Sequence, residues 1–117
     1  MGSSDAGRLW DRLMAGTIKI RTGQNAGYTE LKILLSHPME NGRNRDPLNG
    51  ELIAAHFIQE LRISLNGESI ISADMGGSVA KNPFYSFRLK NAVPGDKIGV
   101  SWRDNLGQSD LAEHVID

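Results

Sequence analysis

Apolar and polar residues alternate along most of this chain with a period of two, which is the spacing of a half-buried β-strand. Ile18 and Ile20 begin the pattern, and Leu31, Ile33 and Leu35 continue it. Three later stretches alternate in the same way, with their apolar positions at Leu61, Ile63 and Leu65, at Tyr85, Phe87 and Leu89, and at Ile98, Val100 and Trp102. We therefore predict a strand in each stretch and place the Trp102 side chain in the core.

Turn-forming residues separate these stretches. Asn66-Gly67 is the strongest hairpin signal in the chain, because this dipeptide suits a two-residue turn between antiparallel strands. Other turns are predicted at residues 23–27, 94–96 and 104–107, and a last edge strand over 108–115. Residues 38–50 resemble a long polar loop, whereas 52–58 fit a helix or a strand by composition.

The strand count and the absence of a crossover helix predict the fold class. About seven short strands separated by turns are typical of an all-β, immunoglobulin-like antiparallel β-sandwich. The 117 residues are enough for one domain. Residues 1–14 depart from the alternation and are predicted to be an N-terminal extension, disordered or helical, while residues 15–117 form the sandwich.

Composition excludes several classes of function. The 13 Lys and Arg residues are balanced by 14 Asp and Glu, so the formal net charge is −1. We expect neither a nucleic-acid partner nor a polybasic membrane anchor, because both need a basic excess. No apolar run approaches the ~20 residues of a membrane span. The chain has no Cys, which rules out a disulfide, a thiolate nucleophile and an iron–sulfur ligand set.

Candidate chemistry is sparse. His37, His56 and His114 lack the short spacing of a zinc site, although a sandwich could bring two of them together in space. We expect His56 to cap or pack beside Phe57 and His114 to face solvent. There is no Gly-x-Ser-x-Gly elbow and no phosphate-binding loop. We therefore predict no catalytic, cofactor-binding or metal-binding residues, and we expect that the chain is not an enzyme.

Several apolar residues occupy positions that a lone sandwich does not need. They are Leu34, Met39, Ile71, Val79 and Phe84. Each could belong to a second buried layer or to a strand bulge. Together they predict a sheet surface that contacts a partner, because contiguous exposed apolar groups usually mark interfaces.

The motifs of the chain resemble those of the SoxZ family. The resemblance covers residues 35–43, with the His-Pro-Met-Glu loop, and residues 77–84, with Asn82-Pro83. It extends through 57–58, 65–67, 94–97 and the Trp-x-Asp-Asn element within 100–107. Order and spacing agree from Thr17 to the C-terminus. Residues 1–13 have no counterpart, and Asn41 stands where a Thr is often seen.

The resemblance implies a partner and a location. SoxZ pairs with SoxY, which carries sulfur intermediates on a cysteine and presents them to the other enzymes of bacterial sulfur and thiosulfate oxidation. This chain lacks cysteine and so resembles the supporting subunit of the SoxYZ heterodimer rather than the carrier. The resemblance also implies a periplasmic protein that is exported together with SoxY, since family members usually act there without a signal of their own. The lack of an apolar secretory core in residues 1–16 agrees with that expectation.

The predicted partner interface combines the resemblance with the apolar positions. It consists of His37, Met39, Arg43, Asn82, Pro83, Phe84 and Tyr85. Met39 and Phe84 would be apolar anchors, and Arg43 and Asn82 would set the polar register. Two alternatives stay open. A carbohydrate-binding sandwich would need a row of exposed aromatic residues, and a metalloenzyme with a sandwich fold would need more ligands than three scattered histidines.

Overall fold

The computed structural model describes residues 16–117, which form seven β-strands. The strands are β1 (Ile18–Asn25), β2 (Tyr28–Leu35), β3 (Ile58–Leu65), β4 (Glu68–Asp74), β5 (Phe84–Leu89), β6 (Lys97–Asp104) and β7 (Ser109–Val115). The predicted extension at residues 1–14 lies outside the described part of the chain. Nothing between 16 and 117 forms a helix that is long and apolar enough to cross a membrane.

Two antiparallel sheets make up the sandwich. One has the strand order β1-β2-β5 and the other β4-β3-β6-β7. This arrangement confirms the predicted all-β fold of about seven strands, and it agrees with an immunoglobulin-like sandwich. The segment 52–58, which composition left open, is not helical, and β3 begins at its last residue, Ile58.

The core lies between the sheets and is filled by the inward positions of the alternating strands. Its fully buried side chains include Leu31, Ile33, Leu35, Ile58, Leu61, Ile63, Ile98 and Val100. Successive strand residues point to opposite faces, so Leu34 points outward between two buried neighbours and is 36% exposed. Leu34 is therefore an apolar residue at a regular outward position, and no bulge is needed to explain it.

The Asn66-Gly67 turn joins β3 to β4 as predicted. Both residues have positive φ, 51° and 85°, which is the backbone of a type I′ turn whose twist matches that of the flanking strands. On one side of the sandwich β1 packs beside β7, and the imidazole Nε2 of His114 lies 3.0 Å from the Thr22 hydroxyl oxygen. His114 is half-buried there, so the expectation that it faces solvent is wrong.

Candidate functional site

Three loops meet at one end of the sandwich. They are residues 36–57 between β2 and β3, hereafter the β2–β3 loop, residues 75–83 between β4 and β5, and the turn between β6 and β7. The β2–β3 loop folds back on itself, because the Glu40 and His56 backbones exchange reciprocal hydrogen bonds of 2.7 and 2.8 Å. This pairing places His56 above the last residue of β6, Asp104.

His37, His56 and Asp104 form one hydrogen-bonded group, which we call the acid–histidine cluster. The Asp104 Oδ2 atom lies 3.1 Å from His37 Nε2 and 2.7 Å from His56 Nε2. Its Oδ1 accepts the backbone N–H groups of Leu106 and Gln108 at 3.0 and 2.8 Å. The carboxylate therefore joins the β2–β3 loop to the β6–β7 turn.

The tautomer of His37 follows from its partners. Its Nδ1 lies 3.1 Å from the backbone nitrogen of Met39, which can only donate, so Nδ1 accepts and Nε2 carries the proton toward Asp104. The His37 ring also contacts the His56 and Trp102 rings edge to face, with centroid distances of 4.6 and 5.1 Å. Every polar atom of the buried His37 ring is thus matched while the ring is neutral.

Burial and hydrogen bonding shift the pKa values of this cluster. Burial lowers the pKa of His37, and the hydrogen bond to Asp104 only partly opposes that shift. Burial by itself raises the pKa of Asp104, but the hydrogen bonds from both histidines and from the turn amides outweigh it, so the net pKa is lowered. A neutral His37 beside an ionised Asp104 is therefore the favoured state near neutral pH.

The three side chains have the spacing of metal ligands, since their donor atoms lie within 4.8 Å of one another. To bind a metal through Nε2, the His37 ring would have to give up the proton on that nitrogen. Either the ring would become an anion, or the proton would move to Nδ1 and the Met39 hydrogen bond would be lost. Among the described residues no buried side-chain nitrogen or oxygen lacks a partner. These contacts favour a structural hydrogen-bonded cluster, and the expected absence of a metal stays a prediction.

Sequence reasoning did not identify this cluster, although one signal was available. Burial alternates beyond the end of β2, through Leu35, His37 and Met39, and along β6 through Trp102 and Asp104. The same period of two that predicts the strands therefore points His37 and Asp104 inward. His56, which was expected to cap or to pack beside Phe57, has its ring nitrogen 2.7 Å from the Asp104 carboxylate.

Trp102 occupies the predicted core position. It is 5% exposed, and its indole Nε1 lies 3.2 Å from the Thr17 hydroxyl oxygen. That hydroxyl in turn donates to the carboxylate of Asp110 in β7. The Trp102 ring therefore packs against His37 of the acid–histidine cluster and links β6 to the start of β1.

Met39 is not the exposed anchor that the sequence predicted. Its side chain is 5% exposed, and its sulfur accepts the backbone N–H of Ile58 at 3.4 Å. The prediction is wrong because the inward alternation of β2 continues into the loop. Ile71 and Val79 are also half-buried and pack against the core rather than forming an outer surface.

Asn82 and Pro83 hold the start of β5 against the end of β2. The Asn82 Oδ1 accepts the His37 backbone N–H at 3.1 Å, and the Asn82 N–H donates to the His37 carbonyl at the same distance. The Pro83 carbonyl accepts the Leu35 N–H at 2.9 Å, and the Pro83 side chain is buried. In this chain both residues have a positioning role, whatever else they contact.

Tyr85 lies on the inner face of β5. Its ring stacks on Phe87 at a centroid distance of 6.2 Å, and its hydroxyl points toward the Met75 sulfur at 3.8 Å. Burial raises the pKa of the Tyr85 hydroxyl. The side chain is half-buried, so it offers less contact area to a partner than its neighbour Phe84.

Phe84 and Leu34 form an exposed apolar pair, which we call the end patch. Phe84 is 58% exposed, and the two residues are direct neighbours across the β2–β5 ladder. Arg43 is exposed in the adjoining β2–β3 loop, where its N–H donates to the side chain of Asn41 at 2.8 Å. Of the predicted interface residues, Arg43, Asn82 and Phe84 are thus the exposed ones.

The exposed aromatic surface is small. In residues 16–117 Phe84 is the one aromatic side chain classed as exposed, while Trp102 is buried and Tyr28, Phe57, Tyr85 and Phe87 are half-buried. A row of exposed aromatic rings, which a carbohydrate-binding face needs, is not formed by this part of the chain.

Comparison with protein families supports the resemblance that the motifs suggested. The family described as "Sulphur oxidation protein SoxZ" matches residues 18–115, from the first residue of β1 to the last residue of β7. A comparison with curated proteins gave no significant match. Since the match spans the whole sandwich, the chain belongs to the SoxZ family of sulfur-oxidation proteins.

Proposed function

We propose that this chain is the non-catalytic subunit of a SoxYZ sulfur-carrier complex. It binds SoxY and supports the presentation of the cysteine-bound sulfur intermediates to the other enzymes of the pathway. Membership of the SoxZ family supports this role. The complex would work in the periplasm, with this chain exported together with SoxY.

The end patch is the observation that carries the binding role. Leu34 and Phe84 place two large apolar side chains side by side on the outer face of a sheet. Burying such a pair against a partner removes apolar area from water, which favours association. The patch is well positioned, because Asn82 and Pro83 fix the β5 backbone immediately before Phe84.

The acid–histidine cluster has a structural part in this proposal. Both ring nitrogens of His37 are bonded, to Met39 and Asp104, and the His56 Nε2 faces Asp104 and Gln108. The cluster therefore fixes the β2–β3 loop, which adjoins the end patch, to the β6–β7 turn.

The first experiment is co-expression with SoxY from the same genome, followed by size-exclusion chromatography with mass detection. We expect a stable complex that contains one copy of each subunit. Elution of this chain alone, with SoxY folded and present, would contradict the proposal.

Replacement of Phe84 tests the location of the interface. Phe84→Ala should weaken the heterodimer by more than ~1 kcal/mol, because buried aromatic anchors dominate such interfaces. Isothermal titration calorimetry measures the change. Leu111→Ala is the matched control, since Leu111 is 63% exposed on the opposite sheet. Equal affinity of the Phe84 variant and the wild type would remove Phe84 from the interface.

A further inference from the structure

The outer face of the three-stranded sheet is basic. Strand pairing arranges its outward residues in rows: Lys19, Leu34 and Phe84 in the first, Arg21, Lys32 and Ser86 in the second, and Gly23, Glu30 and Arg88 in the third. All four cations are exposed. The end patch therefore borders four cations and one anion, in a chain whose formal net charge is −1. We call this surface the basic face.

The cations of the basic face are poorly neutralised. Lys32 lies 3.5 Å from Glu30, and the Arg88 guanidinium sits 5.0 Å from the centre of the Tyr28 ring. Lys19 and Arg21 have no ion pair with any residue in the described part of the chain. Within residues 16–117 their positive charge is therefore not offset by an ion pair.

The opposite sheet gives the contrast. Its outer cations are paired within the sheet, Arg62 and Arg103 with Glu60 and Lys97 with Glu113. The Arg103–Glu60 and Lys97–Glu113 distances are 3.2 and 3.1 Å. A charged partner would therefore feel a stronger field from the basic face than from this surface.

The charge of the basic face also argues against a second copy of this chain as its occupant. A two-fold symmetric dimer places the same patch on both subunits. It would bring Lys19, Arg21 and Lys32 of one copy close to the same cations of the other, which opposes association. A partner of opposite charge meets no such repulsion. Glu30, on the central strand of the face, fits a patterned protein surface better than uniformly anionic lipid or nucleic acid.

We propose that the basic face binds an acidic surface of the SoxY subunit, with the end patch as the apolar part of the same interface. This inference rests on the proposed function and identifies the chemistry that SoxY must present. Complementary charge accelerates encounter and makes it sensitive to salt. Association should therefore slow as the ionic strength rises.

Paired charge reversals test the proposal. Lys19→Glu with Arg21→Glu changes the basic face, and Lys97→Glu with Arg103→Glu makes the same change of net charge on the opposite sheet. All four positions are exposed. Thermal melts confirm that both variants are folded, and stopped-flow mixing with SoxY gives the association rates. We expect the basic-face variant to associate about tenfold more slowly at low salt, and the control to stay much closer to the wild type.

The salt dependence completes the test. From about 0.02 to about 0.3 M salt the wild-type rate should fall steeply, and that of the basic-face variant should change little. Equal slowing of both variants, or no slowing of either, overturns the assignment of this face. The proposed function stays intact in that case if the wild type still forms a stable complex. If the wild type forms no complex, the proposed function fails and this inference with it. Charge-dependent binding of the wild type to anionic phosphatidylglycerol vesicles, with SoxY association unaffected by the reversals, would assign the face to a membrane and overturn the proposal.

Discussion

At the scale of single residues, Asp104 stands out because one carboxylate satisfies donors from two separate loops. It is 2% exposed and accepts hydrogen bonds from both histidines of the acid–histidine cluster. Charge-assisted hydrogen bonds of this kind are stronger than neutral ones. The geometry of the candidate surface therefore depends on a group that a partner need not touch.

The lowered pKa of His37 predicts a loss of stability in mild acid. Below its unfolded pKa of about 6.5, the unfolded chain binds a proton that folded His37 resists. The free energy of unfolding therefore falls as the pH drops from that value toward the folded pKa. The lowered pKa of Asp104 acts in a separate window, with stability lost only as the pH falls below about 4.

His37→Gln tests this assignment. The Gln amide can still donate to Asp104 but does not titrate. The variant should lose about 1–3 kcal/mol of stability near neutral pH, because the buried Met39 N–H loses the Nδ1 acceptor. Between about pH 7 and about pH 5, a range that brackets the ordinary His pKa of about 6.5, the stability of the variant should also depend less on pH than that of the wild type. Urea unfolding at a series of pH values measures both effects. The same dependence in variant and wild type would show that His37 is not the titrating group.

At the scale of elements, the Asn66-Gly67 turn permits a matched comparison of glycines. A Cβ at Gly67 would meet no atom within 4 Å, but the residue has a φ of 85°. Gly67→Ala should therefore cost about 1 kcal/mol from backbone conformation alone. Gly76→Ala is the control, because that site is equally open without a positive φ.

Chemical denaturation of both glycine variants measures the difference. We expect the midpoint of Gly67→Ala to shift to lower denaturant and that of Gly76→Ala to stay near the wild type. Equal shifts would mean that the turn conformation does not decide the cost.

Local pattern predicted the strands well and the loops poorly, for a physical reason. A strand with one buried face repeats its requirement every second residue, so Leu61 and Ile63 identify β3 without knowledge of its neighbours. The contact between His37 and Asp104 joins residues 67 apart in sequence. It depends on how β2 and β6 are placed in different sheets, which no local period encodes. Met39 was misplaced for a different reason, because the alternation of β2 was not followed through His37 into the loop.

At the scale of the whole molecule, the chain is expected to fold without its partner. Its core is closed between its own two sheets, and no buried side-chain polar atom in residues 16–117 is left without a hydrogen bond. Calorimetry of the isolated chain should show one cooperative unfolding transition. SoxY should then raise the unfolding temperature, by an amount equivalent to about 2.7 kcal/mol at a free concentration 100-fold above Kd.

Failure of the isolated chain to unfold cooperatively would contradict this view and indicate that the two subunits fold together. A cooperative transition that SoxY leaves unchanged would contradict the binding role instead. The two results are separable because the first needs no partner in the sample.

The buried thioether of Met39 has a consequence for chemical damage. Conversion of its sulfur to a sulfoxide would place a polar oxygen among apolar side chains of the core and disturb the hydrogen bond that the sulfur accepts from the Ile58 amide. Met39 is 5% exposed, so we expect peroxide to reach its sulfur when the β2–β3 loop opens, whereas Met75 is half-buried and more accessible. The rate of Met39 sulfoxide formation should therefore report how often the β2–β3 loop opens, with the oxidation of Met75 in the same chain as the internal reference.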